Sequence, residues 1–281
     1  VVLFFFEEYL CKEMKGYLME ECRLDVYLNN KGFAESRERG KQLITNNCVF
    51  VNDKLKTKPS FMVNENDNII VTKDLCYVSK GFVKLEKAIS VFSINTENVV
   101  AVDIGASTGG FTDFLLKNGA KKVYAVDVGH GQLHETLKNN NCVINMENMN
   151  FRYADTSVFT DLVDIVTVDV SFISVRLILP KIVEISHENT NIIVLVKPQF
   201  EAGKGNVGKN GIVKDKKIHL AVLNNFNEYS KENGLTIKSI TYSPIKGGNG
   251  NIEYLAYLGK ANIYHNEINF KNLIDEAFEK L

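Results

Sequence analysis

The stretch from Val99 to Val128, VVAVDIGASTGGFTDFLLKNGAKKVYAVDV, limits what this chain can fold into more than any other. An apolar run from Val99 to Val102 ends in Asp103 and gives way to Gly105-Ala106-Ser107-Thr108-Gly109-Gly110. Apolar residues then recur at helical spacing (Phe111, Phe114, Leu115, Leu116) until Gly119, and a second apolar run, Val123 to Val126, ends in Asp127. Strand, glycine turn, helix, strand and terminal acid make a βαβ unit that opens a parallel sheet. The expected fold class is α/β, a Rossmann-like sheet with helices on both faces.

The same turn constrains a ligand. Glycines let the backbone turn tightly and approach a bound group, and an acid closing the second strand can accept two hydrogen bonds from a ribose diol. The dinucleotide fingerprint G-x-G-x-x-G is absent, because Ala106 and Ser107 follow Gly105. Asp103, two residues before the first glycine, suits a ligand with an amino group better than a pyrophosphate, which favours S-adenosylmethionine over NAD. Asp103, Gly105, Ala106, Ser107, Thr108, Gly109 and Gly110 are expected around its methionine portion, and Asp127 and Val128 at its ribose. Asn150, past a third strand expected at 142–144, is the candidate for the adenine. A βαβ turn without a ligand is the plain alternative.

Net charge is −1 over 281 residues, so the whole chain is not an electrostatic nucleic-acid binder and any such surface must be local. Between Arg23 and Lys58 the balance differs: eight basic residues stand against four acidic ones, a net of +4. A small basic segment ahead of a cofactor domain suggests delivery of RNA or DNA, with a solvated helix face as the alternative. The five cysteines are scattered, with no C-x-x-C. They argue against zinc and a disulfide framework and fit a reducing cytoplasm, and no metal is expected. No apolar run approaches the roughly 18 residues that a membrane helix needs. The opening VVLFFFEEYL is a poor signal peptide. It is expected to be sequence upstream of a natural start at Met14 or Met19, or else a small packing strand.

Taken in order, the chain is expected to carry two short helices, the second capped by Ser36, then strands at Val49–Val51 and at 68–72. A turn and helix follow at 79–89, carrying Lys80, Lys84 and Lys87. Beyond the βαβ unit come a strand at 164–170 reaching Asp169, a helix at 177–185, and a strand at 191–196 that runs into Lys197. A lysine closing a buried strand is costly unless it is paired or functional. The stretch 201–215 is rich in glycine and lysine, contains no G-x-x-x-x-G-K-[ST] phosphate loop, and reads as a mobile basic loop over the site. A helix at 219–233, a strand at 235–242, a strand at 252–258 carrying Glu253, and a helical tail complete the chain. The expected divisions are an extension at 1–22, a basic domain at 23–74, a link at 75–78, a cofactor domain at 79–262 and a tail at 263–281.

R-L-D-x-x-L from Arg23, S-R-E at Ser36–Glu38, V-x-V-N at Val49–Asn52 and Lys58-Pro59 resemble the small α+β RNA-binding domain of a ribosomal small-subunit protein. Pseudouridine synthases and bacterial tyrosyl-tRNA synthetases share it. The resemblance implies that Arg37, Arg39 and Lys41 on the second helix face RNA phosphate, with Arg23 and Lys80 among the RNA-facing residues.

Lys84, Asp169, Lys197 and Glu253 fall near strand ends or in the helix before the first sheet strand, on the side a cofactor should occupy. Together they resemble the Lys-Asp-Lys-Glu set of FtsJ-type RNA ribose 2′-O-methyltransferases. V-S-K-G-x-x-K-L-E-K-A from Val78, D-I-G-A-S-T-G-G-F-T-D from Asp103, D-V-S-F-I-S from Asp169, V-K-P-Q-F-E-A-G from Val196 and G-N-I-E-Y-L from Gly250 follow in one order. In this the chain is similar to the TlyA family from Arg23 to Lys260. The resemblance implies a catalytic set of Lys84, Asp169, Lys197 and Glu253, with Asp169 also on the sulfonium side of S-adenosylmethionine. It implies 2′-O-methylation of cytidine in ribosomal RNA, with rRNA or ribosomal subunits as partners. A cytoplasmic monomer with no membrane or DNA partner is expected. Two positions depart from the family: Lys80 where arginine is common, and His130 where tyrosine is usual. Three other readings stay open: a non-catalytic rRNA-binding or assembly factor, a cytolysin as the family's older hemolysin label suggests, and a tRNA or mRNA-cap methyltransferase.

Overall fold

The hydroxyl of Ser36 accepts a hydrogen bond from the Arg39 amide at 3.1 Å, which satisfies one of the open donors at a helix start. The helix it starts, α2 (Arg37–Thr45), packs on α1 (Leu24–Asn30). The structure, a computed structural model, describes residues 21–46, 48–52, 54–71, 77–79, 81–260 and 268–281. The chain divides into two compact units between residues 76 and 77. In the first unit β1 (Cys22–Arg23) precedes α1, and β2 (Val49–Val51) is the centre of a three-stranded antiparallel sheet. Its neighbours are β3 (Lys54–Leu55) and β5 (Ile69–Val71), while β4 (Met62–Val63) pairs with β1. Leu24, Leu28, Leu43, Ile44, Val49, Val51 and Val63 form the core.

The second unit begins with α3 (Phe82–Phe92), then β6 (Val100–Ile104), α4 (Gly110–Lys117), β7 (Lys122–Val126), α5 (Glu135–Lys138), β8 (Val143–Met146) and β9 (Val163–Val168). There follow α6 (Leu179–Ile185), β10 (Ser186–Val196), α7 (Pro198–Glu201), α8 (Lys216–Glu232), β11 (Leu235–Tyr242), β12 (Tyr254–Lys260) and α9 (Phe270–Lys280). The seven strands lie in the order β11-β12-β10-β9-β6-β7-β8. The five from β10 to β8 run parallel, and β12 and β11 are antiparallel. The α/β expectation holds, with an antiparallel hairpin added at one edge.

Alternation along each strand feeds two cores. Val100, Val102 and Ile104 of β6 face the side holding Ile182, Phe226 and Ile274. Ala101 faces the side holding Leu85, Ala88, Phe114 and Leu115. Helices therefore cover both faces, and strands buried on both sides read as continuous apolar runs.

Several boundaries differ from those read in the sequence, each for a local reason. α8 starts three residues early because the Asp215 carboxylate caps it, accepting from the Lys217 amide at 2.8 Å. The helix expected from 177 is split: a 3₁₀ turn at Val175–Leu177 precedes α6, which carries Pro180 in its first turn. β12 opens at Tyr254, so Glu253 lies just ahead of it. The proposed extension up to residue 20, the first half of the proposed link and Lys80 lie outside the described residues. Among the described residues no helix is long and apolar enough to cross a membrane.

Candidate active site

Register places the site. Ile104 pairs with Val126 on one side and Val168 on the other, so Gly105, Asp127 and Asp169 leave adjacent strands at one level. Val196 pairs with Tyr254 in the antiparallel edge, which sets Lys197, just past β10, opposite Glu253, just before β12. α3 crosses from the other side with Lys84 among its buried positions.

These four side chains form one continuous chain of alternating charge. Lys84 Nζ is 2.8 Å from Glu253 Oε2 and 3.9 Å from Asp169 Oδ2. Lys197 Nζ is 2.6 Å from Asp169 Oδ1 and donates to Ser171 Oγ at 2.9 Å. Gln199 Nε2 donates to the second oxygen of Glu253 at 3.0 Å. Two cations and two anions cancel, which is what makes their burial tolerable. Asp169 is the most open of the four, 22% exposed against 2% for Glu253, and so is the member turned furthest toward the crevice. Asp169 stands between the two lysines, in contact with both.

A cavity of about 570 Å³ holds all four, together with Gly105, Ser107 and Phe172. A second of about 480 Å³ shares Gly105, Ser107, Asp169, Ser171 and Phe172 and extends to Asp127, Val128 and Asn150. Ala106, Thr108 and Gly110 line the first. Gly109 lines neither; its left-handed backbone (φ 95°) turns the chain into α4. At Gly105 (φ 84°) a Cβ would stand 2.6 Å from the Asp169 carbonyl oxygen, so only glycine lets the turn lie this close to β9.

The acids of the crevice play different parts. Asp127 accepts from the Ser107 amide at 2.8 Å and from the Gly129 amide at 2.7 Å, tying the glycine turn to the loop after β7. Asp103, expected to face the ligand, lines the cavity but is fully buried. Its oxygens accept from Thr112 Oγ1 at 2.7 Å and Thr167 Oγ1 at 2.9 Å, bracing β6 against α4 and β9. Burial pushes its pKa up to about 6. Glu147 accepts from the Gln132 and Leu133 amides, which holds its carboxyl down to about 2 and pins the loop that carries His130.

Reading the sequence missed the aromatic at the mouth. Phe172 is 92% exposed, and its φ of 64° is a left-handed conformation that bulky residues avoid. Its ring centroid is 5.2 Å from that of Phe200. An apolar residue between Ser171 and Ile173 just past a strand end was the available signal. Ser171 and Gln199 were missed too; both lie inside motifs that the sequence displays. In the 201–215 stretch Val207 and Gly211 line the cavity, and the buried Asn251 ties it to the next loop through Val213 N at 3.0 Å and Gly211 O at 2.8 Å.

In the first unit, Arg23 and Arg37 both bond the buried Asp25. Lys41 pairs with Glu38 at 2.9 Å, and Arg39 donates to Gln42 at 3.3 Å.

The family model described as FtsJ-like methyltransferase matches residues 77–260. The chain belongs to that family. An S4 domain model matches residues 22–69. Among relatives, the 16S/23S rRNA (cytidine-2′-O)-methyltransferase TlyA of Mycobacterium tuberculosis is 36% identical over 86% of this chain and 91% of its own. Hemolysin A of Brachyspira hyodysenteriae is 45% identical over 84% of this chain and 98% of its own. A solved structure of a Streptococcus thermophilus protein, provisionally named a hemolysin, is 41% identical, covers 93% of this chain and 97% of its own, and superposes with a TM-score of 0.71. These likenesses extend across both units, so the TlyA resemblance read from the motifs holds over most of the chain.

Proposed function

We propose that this protein transfers a methyl group from S-adenosylmethionine to the ribose 2′-hydroxyl of a cytidine in ribosomal RNA, in the cytoplasm, with the S4 unit recruiting the RNA. The observation that carries this reading is the Glu253–Lys84–Asp169–Lys197 chain beside a glycine turn. The crevice suits the donor. Gly105 keeps its floor free of a Cβ, Asp127 and Asn150 line the far part, and Ile104, Val126, Phe151 and Ile178 supply apolar walls for an adenine. S-adenosylmethionine supplies an electrophilic methyl on a sulfonium, already a good leaving group.

What the chain's residues must add is alignment and the handling of one proton. Asp169 and Ser171 fix the Lys197 amine from two sides. Lys197 is positioned to hold the 2′-hydroxyl and, once its ammonium has given a proton to solvent, to take the hydroxyl's proton at Nζ. Glu253 holds Lys84, which in turn contacts Asp169 and keeps that carboxylate in place. Phe172 offers an exposed ring on which the target base can stack. Incubation with tritiated S-adenosylmethionine and rRNA or ribosomal subunits tests the reading; label on no RNA would leave a binding factor instead.

A further inference from the structure

We propose that the buried carboxylate of Asp25 presents Arg23 and Arg37 as one clamp for an RNA phosphodiester, so that an acidic residue strengthens binding of a polyanion. This rests on the reading that the S4 unit meets RNA. Asp25 sits in the first turn of α1 with its side chain fully buried. Its Oδ1 accepts from Arg23 Nε at 2.9 Å, and its Oδ2 from Arg23 Nη2 at 3.1 Å. The same Oδ2 accepts from Arg37 Nε at 3.0 Å. One shared oxygen thus holds two guanidinium groups side by side that would otherwise repel.

The arrangement is built in from sequence. Ser36 caps α2 and so makes Arg37 its first residue. Gly40, one turn on, lets the helices approach until a Cβ would stand 2.9 Å from the Asp25 carbonyl oxygen. The amides of Leu24 and Asp25 are bonded to the carbonyls of Phe61 and Pro59, which fixes the start of α1. The arginine side chains nevertheless stay 41% and 53% exposed. Among the described residues Asp25 is the acceptor that both use. Of five donors on each guanidinium, Arg23 commits two and Arg37 one to Asp25. The rest can meet a ligand. Two guanidiniums and one carboxylate leave a single net positive charge. A phosphodiester carries one negative charge on two unshared oxygens, the geometry that planar forks recognise and lysine does not.

Charge and geometry forecast opposite outcomes for Asp25→Asn. If charge alone governs, losing an acid raises RNA affinity. If presentation governs, the released arginines cost roughly tenfold. The test measures binding of a fluorescein-labelled rRNA hairpin to the full chain by anisotropy, for wild type, Asp25→Asn and the double variant Arg23→Lys, Arg37→Lys. Circular dichroism checks that each is folded. The expected result is wild-type binding with both variants weakened about tenfold. If Asp25→Asn fails to fold, the double variant, which keeps the charge and loses the forks, decides alone. Equal or tighter binding by folded Asp25→Asn, or unchanged binding by the double variant, overturns the clamp. No binding by wild type overturns the RNA reading itself, and the clamp with it.

Discussion

Lys197 Nζ lies 2.6 Å from Asp169 Oδ1, and the pairing of Val194 with Val168 in adjacent parallel strands is what brings these residues of distant sequence together. The contact fixes the amine at the edge of the crevice. The proposed chemistry depends on that fixed point.

Replacing Lys197 separates its possible roles. Lys197→Ala is expected to lower kcat by roughly a hundredfold or more, the usual worth of a positioned acid–base group. Lys197→Arg keeps the charge and the donors but cannot accept a proton at neutral pH, and is expected to be similarly impaired with cofactor affinity intact. A pH–rate profile of both against wild type checks this. Substantial activity in the arginine variant would replace proton transfer by electrostatic stabilisation of the developing alkoxide.

Asp127 should matter to the cofactor and not to RNA. Its carboxylate already organises Ser107 and Gly129 through their amides, so Asp127→Ala removes both the proposed ribose acceptor and the brace. Calorimetry is expected to give S-adenosylmethionine binding weaker by about tenfold or more, with RNA affinity unchanged. Undiminished cofactor affinity would remove Asp127 from the site.

Phe172→Ala tests the stacking platform. Base–aromatic stacking contributes about 1–3 kcal/mol, so kcat/KM for RNA should fall about fivefold or more while cofactor affinity holds. Phe172→Tyr should restore most of it. An unchanged kcat/KM would leave the strained, exposed ring without this role.

Asp103 predicts a pH dependence of stability. Its folded pKa of about 6 lies above the roughly 3.9 of an unfolded aspartate, so the folded state holds that proton more tightly. Its contribution to stability is fully present below about pH 4 and is lost as pH rises to about 6. Asp103→Asn cannot titrate. Relative to it, wild type should gain at most about 3 kcal/mol between neutral pH and about pH 4, measured by denaturant unfolding. A constant difference would contradict the raised pKa.

The sequence was most legible where one residue carries both a local and a global requirement. Gly105 ends a strand, needs a left-handed backbone and admits Asp169 close by, so its motif was visible in one line of text. Lys197 was visible because a charge closing an apolar run is unusual, and Glu253 through the motif from Gly250 that carries it. What joins them, the pairing of Val196 with Tyr254, depends on sheet register, which no local pattern encodes. Nothing near Asp103 in sequence announces Thr167, which brings its hydroxyl to that carboxylate from another strand. Asp25 was counted as one of four acids offsetting a basic segment. Its burial, and its hold on Arg37 across the helix pair, became apparent only from how Gly40 lets those helices meet.

The most direct test is transfer of tritiated methyl from S-adenosylmethionine to rRNA, with primer extension at limiting dNTP to locate the modified position. The account predicts label in rRNA, a single class of stop at a cytidine ribose, and loss of both with Lys197→Ala. Methylation of a base in place of the ribose, or no methyl transfer to any RNA by folded, cofactor-binding protein, would contradict it.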